Sequence, residues 1–488
     1  MVHRALLLPE VVAAILNAGS DESGLLYNCL LVNHLFLEEA RRILWSTCDS
    51  STGVHPDIQN LGEMVLRDDI GPHRAQVYAN LVRELSFHYD NTYIDQTSWH
   101  SVLCQLQFPQ LVSVSFWETD HGAILNTEAV ILHYAKSNLR RLSVDCCVPL
   151  SDYFFDAMAG FCSRLNYLLL RPFKVTASSG SVVRMLEKMP NIDTVEFERG
   201  FQKAFSLEML RVIASYPNLN QTVLPYVQDG HLLAIQADAE KRWFPKLRYL
   251  YISATAETLR LFCQLVPGIE AIGLRNHGMG RTNHVLTSAS GFRQLTSFTA
   301  QLSLSTVIHG DELIQLAKGC PGLEELNIGI DSWSDTKPSA TGITDDLIRE
   351  LALHLSNLKQ LYLLFESDAG SKPGCIQSIQ TLGQHCKKLE ELALSCRFDW
   401  PSILSLPQRE QMPLAVSLEQ LELLPEDHMR QSLTEEEYSG LLDAWRYNAK
   451  TWLPQLRFMM IRNADDWEEA FIDARITKDG TTDEESEI

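Results

Sequence analysis

Aromatic and basic side chains recur at matching offsets along this chain, and their chemistry is that of recognition, not of bond making. Trp117, Arg141, Tyr167 and Arg171 form one group, and Tyr249, Tyr251 and Arg275 another. Guanidinium groups make charge-assisted hydrogen bonds to carboxylates and phosphates, and Tyr, Trp and Arg are enriched at the energetic centres of protein interfaces. Such a patch suits an acidic or phosphorylated segment of a partner. The plainer reading keeps Trp117 and Tyr167 covered by their neighbours and pairs Arg171 with Glu198. The sequence has no Walker loop, no H-E-x-x-H, no G-x-S-x-G and no repeated Cys/His ligand spacing. Gly278-Met-Gly280 lacks the strand and helix that a phosphate loop needs. The expectation is a non-enzyme with no catalytic residue, no cofactor and no metal.

What would position the patch is a repeat. The pattern L-x-x-L-x-L, seen in Gly322-Leu-Glu-Glu-Leu-Asn-Ile328, starts fourteen times: at Val82, Leu111, Leu139, Leu165, Ile192, Leu219, Leu247, Ile269, Leu295, Leu323, Leu358, Leu389, Leu418 and Leu456. Most of the intervals lie between 26 and 29 residues, close to the leucine-rich-repeat period of about 20–29 with one strand and one helix per unit. In one unit, Asp311 reads as a helix N-cap, Leu313, Leu316, Ala317 and Cys320 share a helix face, and Pro321-Gly322 stops the helix. Leu323, Leu326 and Ile328 then point inward from a strand. A lone unit cannot bury both surfaces, so the units must stack. The expected fold is α/β, a leucine-rich-repeat solenoid with parallel strands on the concave face and helices on the convex face. The patch residues fall at the third, fifth and seventh positions of the pattern, which face out because strand residues alternate. Longer intervals predict insertions at Asp331 to Gly342, Ser367 to Gly374, and Leu424 to Trp452, the last with an extra helix around Glu435 to Tyr447.

A formal net charge of −21 opposes general binding to nucleic acid or an anionic membrane, leaving protein partners. Apolar runs fall short of a span of about 20 residues, and the N-terminus lacks a secretory pattern. Eleven cysteines, an odd number without C-x-x-C, read as free thiols, several of them (Cys162, Cys320, Cys386) at the ends of repeat helices. The chain is therefore read as soluble, in the cytoplasm and/or nucleus.

Residues before the repeats have a different texture. Leu8-Pro9-Glu10 starts one helix, Leu25, Leu26, Cys29 and Leu30 mark a second, and Phe36, Ala40, Ile43 and Leu44 a third that closes on Trp45. The residues Leu8-Pro9-Glu10, Ile15-Leu16, Cys29-Leu-Leu-Val-Asn-His-Leu-Phe36, Ala40 and Leu44-Trp45 resemble an F-box, of the fungal type. Repeats of the cysteine-containing kind, as in Leu316-Ala-Lys-Gly-Cys-Pro-Gly-Leu-Glu-Glu-Leu326 and His385-Cys-Lys-Lys-Leu-Glu-Glu-Leu392, follow it. Together they resemble substrate-receptor subunits of SCF-type cullin ubiquitin ligases. The resemblance implies a Skp-type adaptor as partner, contacted through Leu8, Pro9, Ile15, Leu31, Val32, Leu44 and Trp45, and a protein substrate held by the repeats.

The predicted layout is an F-box helical domain at 4–47, a connector with the first repeat helices at 48–80, the solenoid at 81–464, a C-terminal cap at 465–478 and an acidic tail at 479–488. Within it, Cys48 to Pro56 reads as a short connector and Asp465 to Arg475 as a capping helix. A bundle that merely shields the first repeat is the alternative at the N-terminus. For the whole chain the alternatives are a leucine-rich-repeat scaffold unconnected to ubiquitin and a regulator of a small GTPase.

Overall fold

The computed structural model describes residues 8–19, 23–49, 56–67, 71–89, 96–118, 128–161, 163–238, 241–275, 284–302, 306–329, 338–367, 373–396, 415, 417–424, 453–461 and 472–473. The chain divides into two compact units, Met1–Pro225 with Ala239–Lys246, and Tyr226–Asp238 with Leu247–Ile488.

The first unit opens with α1 (Pro9–Ala18), α2 (Ser23–Cys29) and α3 (His34–Leu44). Proline at the first position of α1 needs no backbone donor there, and the Asn33 side chain caps α3 by accepting from Phe36 N at 3.1 Å. Val12, Leu16, Leu26, Cys29, Ala40, Ile43 and Leu44 form a small core of their own. Two helices, α4 (Ile58–Leu66) and α5 (Gly71–Ala79), follow.

The strands of this unit are β1 (Thr47–Asp49), β2 (Glu84–Tyr89), β3 (Ser113–Glu118), β4 (Arg141–Asp145), β5 (Pro149–Leu150), β6 (Tyr167–Leu170), β7 (Lys174–Val175), β8 (Thr194–Phe197) and β9 (Gln221–Leu224). The main ladder runs β1-β2-β3-β4-β6-β8-β9, all parallel. Its first strand corrects the sequence reading. Thr47 to Asp49 were assigned to the end of the F-box and the connector, yet they pair with Glu84 to Ser86, giving β2 a neighbour on the side that no L-x-x-L-x-L copy supplies.

The second unit carries β10 (Tyr249–Ile252), β11 (Ala271–Arg275), β12 (Ser297–Gln301), β13 (Val307–His309), β14 (Glu325–Ile328), β15 (Ser339–Thr341), β16 (Gln360–Leu363), β17 (Glu366–Ser367), β18 (Glu391–Ser395), β19 (Gln420–Leu424), β20 (Phe458–Ile461) and β21 (Ile472–Asp473). Its main ladder is parallel from β10 to β20, omitting β13, β15 and β17, which form a second short ladder. β5 and β7 form a similar one in the first unit. The segment Asp331 to Gly342, read as an insertion, thus contributes a strand, β15, to the repeat. β21 lies antiparallel on β20, so Ile472 and Asp473 are extended where a capping helix was predicted. Pairing satisfies the backbone groups that β20 would otherwise leave open. The extra helix around Glu435 to Tyr447, the tail, Cys162 and Gly278-Met-Gly280 lie outside the described residues.

The inward positions behave alike in both units. Leu139, Leu142 and Val144 are fully buried, as are Leu323, Leu326 and Ile328. Each such side chain contributes about 1.5–3 kcal/mol of burial. Helices such as Ser179–Glu187 and Leu207–Ser215 bury apolar stripes of their own, Val182, Met185 and Leu186 in one and Met209, Leu210 and Ile213 in the other, and are capped by Ser178 and Ser206. In the worked repeat the helix is Gly310–Gly319 with its cap at His309, so Asp311 sits in the first turn, where its charge favours the helix dipole. The fold is the expected α/β leucine-rich-repeat solenoid.

Candidate functional site

Two surfaces hold the residues singled out above. On the helical bundle, Leu8 is 52% exposed, Ile15 46%, Leu31 87% and Val32 58%, and Pro9 is exposed too. Leu25 and Tyr27 add to the apolar surface. Leu44, by contrast, belongs to the bundle core, and Trp45 packs against Tyr78 of α5 with ring centroids 4.4 Å apart and the rings tilted by 36°. The seven residues thus separate into five that face solvent and two that hold α3 in place. Sequence periodicity could not make that distinction, since in so short a bundle nearly every face is apolar. Between α2, α3 and the α4–α5 pair lies a cleft of about 280 Å³, lined by Tyr27, Leu30, Leu37, Trp45, Met64 and Tyr78 among others.

The strand face of the first unit carries Trp117, Arg141, Tyr167 and Arg171. Arg141 is exposed, with its guanidinium over the Tyr167 ring at 5.0 Å, and Trp117 is partly buried. The Nη atoms of Arg171 meet three carboxylates, Asp145 at 3.4 Å, Glu196 at 3.1 Å and Glu198 at 3.4 Å, while its buried Nε donates to no partner among the described residues. All three carboxylates are buried. Tyr167 Oη also donates to Glu196, at 3.2 Å. Burial lifts the Glu196 carboxyl above the usual range against the pull of Arg171 and Tyr167, and Glu198 adds to the lift. Burial, then Glu196, pushes the Tyr167 hydroxyl up to about 12. Pairing of Arg171 with Glu198, the plainer reading, is therefore present, with two further partners.

On the strand face of the second unit, Tyr249 is exposed, while Arg275 lies over the Tyr251 ring at 5.1 Å. Gln301 Oε1 accepts from both, from Tyr251 Oη at 3.0 Å and Arg275 Nε at 3.1 Å. The ring rests on Gly273: a Cβ there would lie 1.9 Å from it. Glycine at this strand position is what leaves room for the ring. Beyond it, Asn327 donates to Gln360, Gln360 to Glu391 and Tyr362 to Glu391, so a polar ladder crosses three strands, in which Asn327 Oδ1 accepts no hydrogen bond among the described residues. Among the described residues no three His, Cys, Asp or Glu side chains are grouped to hold a metal ion.

No family model matches the chain, and no curated protein matches it. Among solved structures it is similar to the leucine-rich-repeat-containing protein LegL7 from Legionella pneumophila, at 13% identity over 52% of this chain and 85% of that one, with a TM-score of 0.31. It is also similar to an internalin (inlF) from Listeria monocytogenes, at 11% identity over 68% and 93%, TM-score 0.35. The Rad7 and Elc1 complex in yeast gives 12% identity over 76% and 83%, TM-score 0.34. The repeat architecture rests on the chain's own ladders, not on these values.

Proposed function

We propose that this chain is a non-catalytic substrate-recognition adaptor of an SCF-type cullin ubiquitin ligase, acting in the cytoplasm and/or nucleus. In this reading residues 4–47 are an F-box that docks on a Skp-type linker, and the repeats hold a protein substrate. The observation that carries it is the apolar surface of the bundle. Leu8, Pro9, Ile15, Leu31 and Val32 face solvent on a bundle that already has its own core. A shielding cap needs a polar outer face, and a cluster of exposed large apolar side chains marks an interaction site. Proximity is the chain's chemical contribution: a client lysine is held near a charged carrier enzyme.

The test is co-purification with a Skp-type subunit. Leu31→Glu with Val32→Glu removes exposed apolar surface without touching the core, so binding is lost while the thermal midpoint stays put. If the intact chain binds no Skp-type subunit, the alternative stands, a leucine-rich-repeat scaffold unconnected to ubiquitin.

A further inference from the structure

The second residue of each L-x-x-L-x-L copy sits where the chain enters its strand, and backbone hydrogen bonds set these residues side by side across neighbouring strands. In the second unit Glu270 N donates to Arg248 O at 2.9 Å, Lys359 N to Glu324 O at 2.7 Å and Arg457 N to Glu419 O at 2.8 Å. The side chains pair in the same combinations, Arg248 with Glu270 at 3.3 Å, Lys359 with Glu324 at 2.6 Å and Arg457 with Glu419 at 3.5 Å. Each cation of this row in that unit thus has its acid one strand away.

The first unit keeps the cations and lacks the acids. Arg83 N donates to Ser46 O and Val112 N to Arg83 O, both at 2.8 Å, while Arg140 N donates to Val112 O at 2.8 Å and Asn166 N to Arg140 O at 2.9 Å. Arg83 therefore lies between Ser46 and Val112, and Arg140 between Val112 and Asn166, all uncharged. Both arginines are exposed, as are Arg141, whose guanidinium lies over Tyr167, Lys136 in the turn before β4 and Arg164 in the turn before β6. Among the described residues none of these five enters an ion pair. The acids of this edge are Glu84, exposed at the start of β2 with Ser113 between it and Arg141, and Asp193, on the far side of Asn166. On a chain of net charge −21 this edge is a local positive field, which draws in acidic groups.

Resting on the reading that the repeats hold a client protein, we infer that this edge takes an extended client segment with glutamate or aspartate at every third residue, one carboxylate on Arg83 and the next on Arg140. Spacing selects that chemistry. The two arginines enter strands two apart, about 10 Å, and an extended chain advances about 3.3 Å per residue, so acids three residues apart reach both. Each guanidinium then meets a carboxylate in its own fork of parallel hydrogen bonds. One phosphate would have to draw both side chains together across the strand of Val112 and Ser113, at a cost in rotamer freedom.

The experiment uses the full chain and fluorescein-labelled decapeptides in a glycine–serine background, read by fluorescence polarisation. One carries glutamate at every third residue, one glutamine at the same places, and one a single phosphoserine. The glutamate peptide binds and the glutamine peptide does not. Arg83→Gln with Arg140→Gln weakens binding by about tenfold, the scale of two exposed ion pairs. Arg248→Gln with Lys359→Gln removes the same charge at the same repeat position, where each cation already has its acid, and leaves binding unchanged. Glu84→Gln tightens binding by removing the nearest repelling carboxylate, and this variant decides alone if the arginine pair lowers the thermal midpoint. Equal binding of the glutamate and glutamine peptides, tighter binding of the phosphoserine peptide, equal losses in the two cation pairs, or no gain in Glu84→Gln overturns the inference. Such a failure leaves Skp-type co-purification untouched, so it is separable from failure of the adaptor reading.

Discussion

At the scale of single residues, burial decides which polar groups are available and in which protonation state. Arg171 and Arg141 are the same residue type one strand apart, yet one is spent on three carboxylates and the other is exposed over a ring. Strand alternation made both legible as outward-facing. It could not reveal that Asp145, Glu196 and Glu198 converge on one guanidinium, because that depends on rotamers reaching across register. His100 is the sharper case. It lies buried against Phe87, with ring centroids 4.7 Å apart, and its Nδ1 is 3.3 Å from Tyr134 Oη. Burial, with a smaller push from His133, lowers its pKa from 6.5 to about 4. The neutral ring is favoured in the folded state, so this contribution to stability is whole above pH 6.5 and is lost as pH falls toward 4. Between pH 7 and pH 5 the native chain should lose about 2 kcal/mol more than a His100→Gln variant. Urea midpoints of both proteins at the two pH values check this, and parallel losses would show that His100 is not the group responsible.

At the scale of elements, the repeat succeeds because each helix end closes on the turn before it. Cys320 Sγ donates to Phe292 O and Cys386 Sγ to Leu355 O, both at 3.3 Å, and burial pushes each thiol up to about 12. Tyr216 Oη does the same for Leu186 O at 2.7 Å. The leucine period revealed the ladders, and cysteine at helix ends was readable as a small packed side chain. β1 and the short ladders of β5 with β7 and of β13, β15 and β17 were not readable. Strands of two or three residues are too short to set up an alternation, and their pairing is fixed by neighbouring repeats. Glycine positions also need coordinates. A Cβ on Gly319 would lie 2.2 Å from Ser290 O, whereas one on Gly322 would lie 3.8 Å from Leu295 O, an ordinary van der Waals contact. Helix propensity alone favours alanine at Gly319 by about 1 kcal/mol. The clash reverses that sign. Gly319→Ala should destabilise the chain by about 2 kcal/mol, and Gly322→Ala should leave thermal melting close to that of the native protein.

At the scale of the whole molecule, the question is whether the bundle and the repeats can be separated experimentally. Their tasks differ in the adaptor reading, but their packing is shared. Trp45 packs against Tyr78, and Ser46 O accepts from both Arg83 N at 2.8 Å and Glu84 N at 3.0 Å, anchoring β2. β1 follows at once and pairs with β2. Deleting residues 1–46 therefore removes support from the first repeats along with the docking surface, and client binding lost in such a truncation would be ambiguous. Leu31→Glu with Val32→Glu does not share this defect, because both side chains face solvent and neither belongs to the bundle core. The truncation should lower the thermal midpoint, while the double variant keeps it and loses only the Skp-type subunit. A truncation as stable as the native chain would mean that the contacts of Trp45 and Ser46 contribute nothing to the repeats, and that the bundle is an independent attachment.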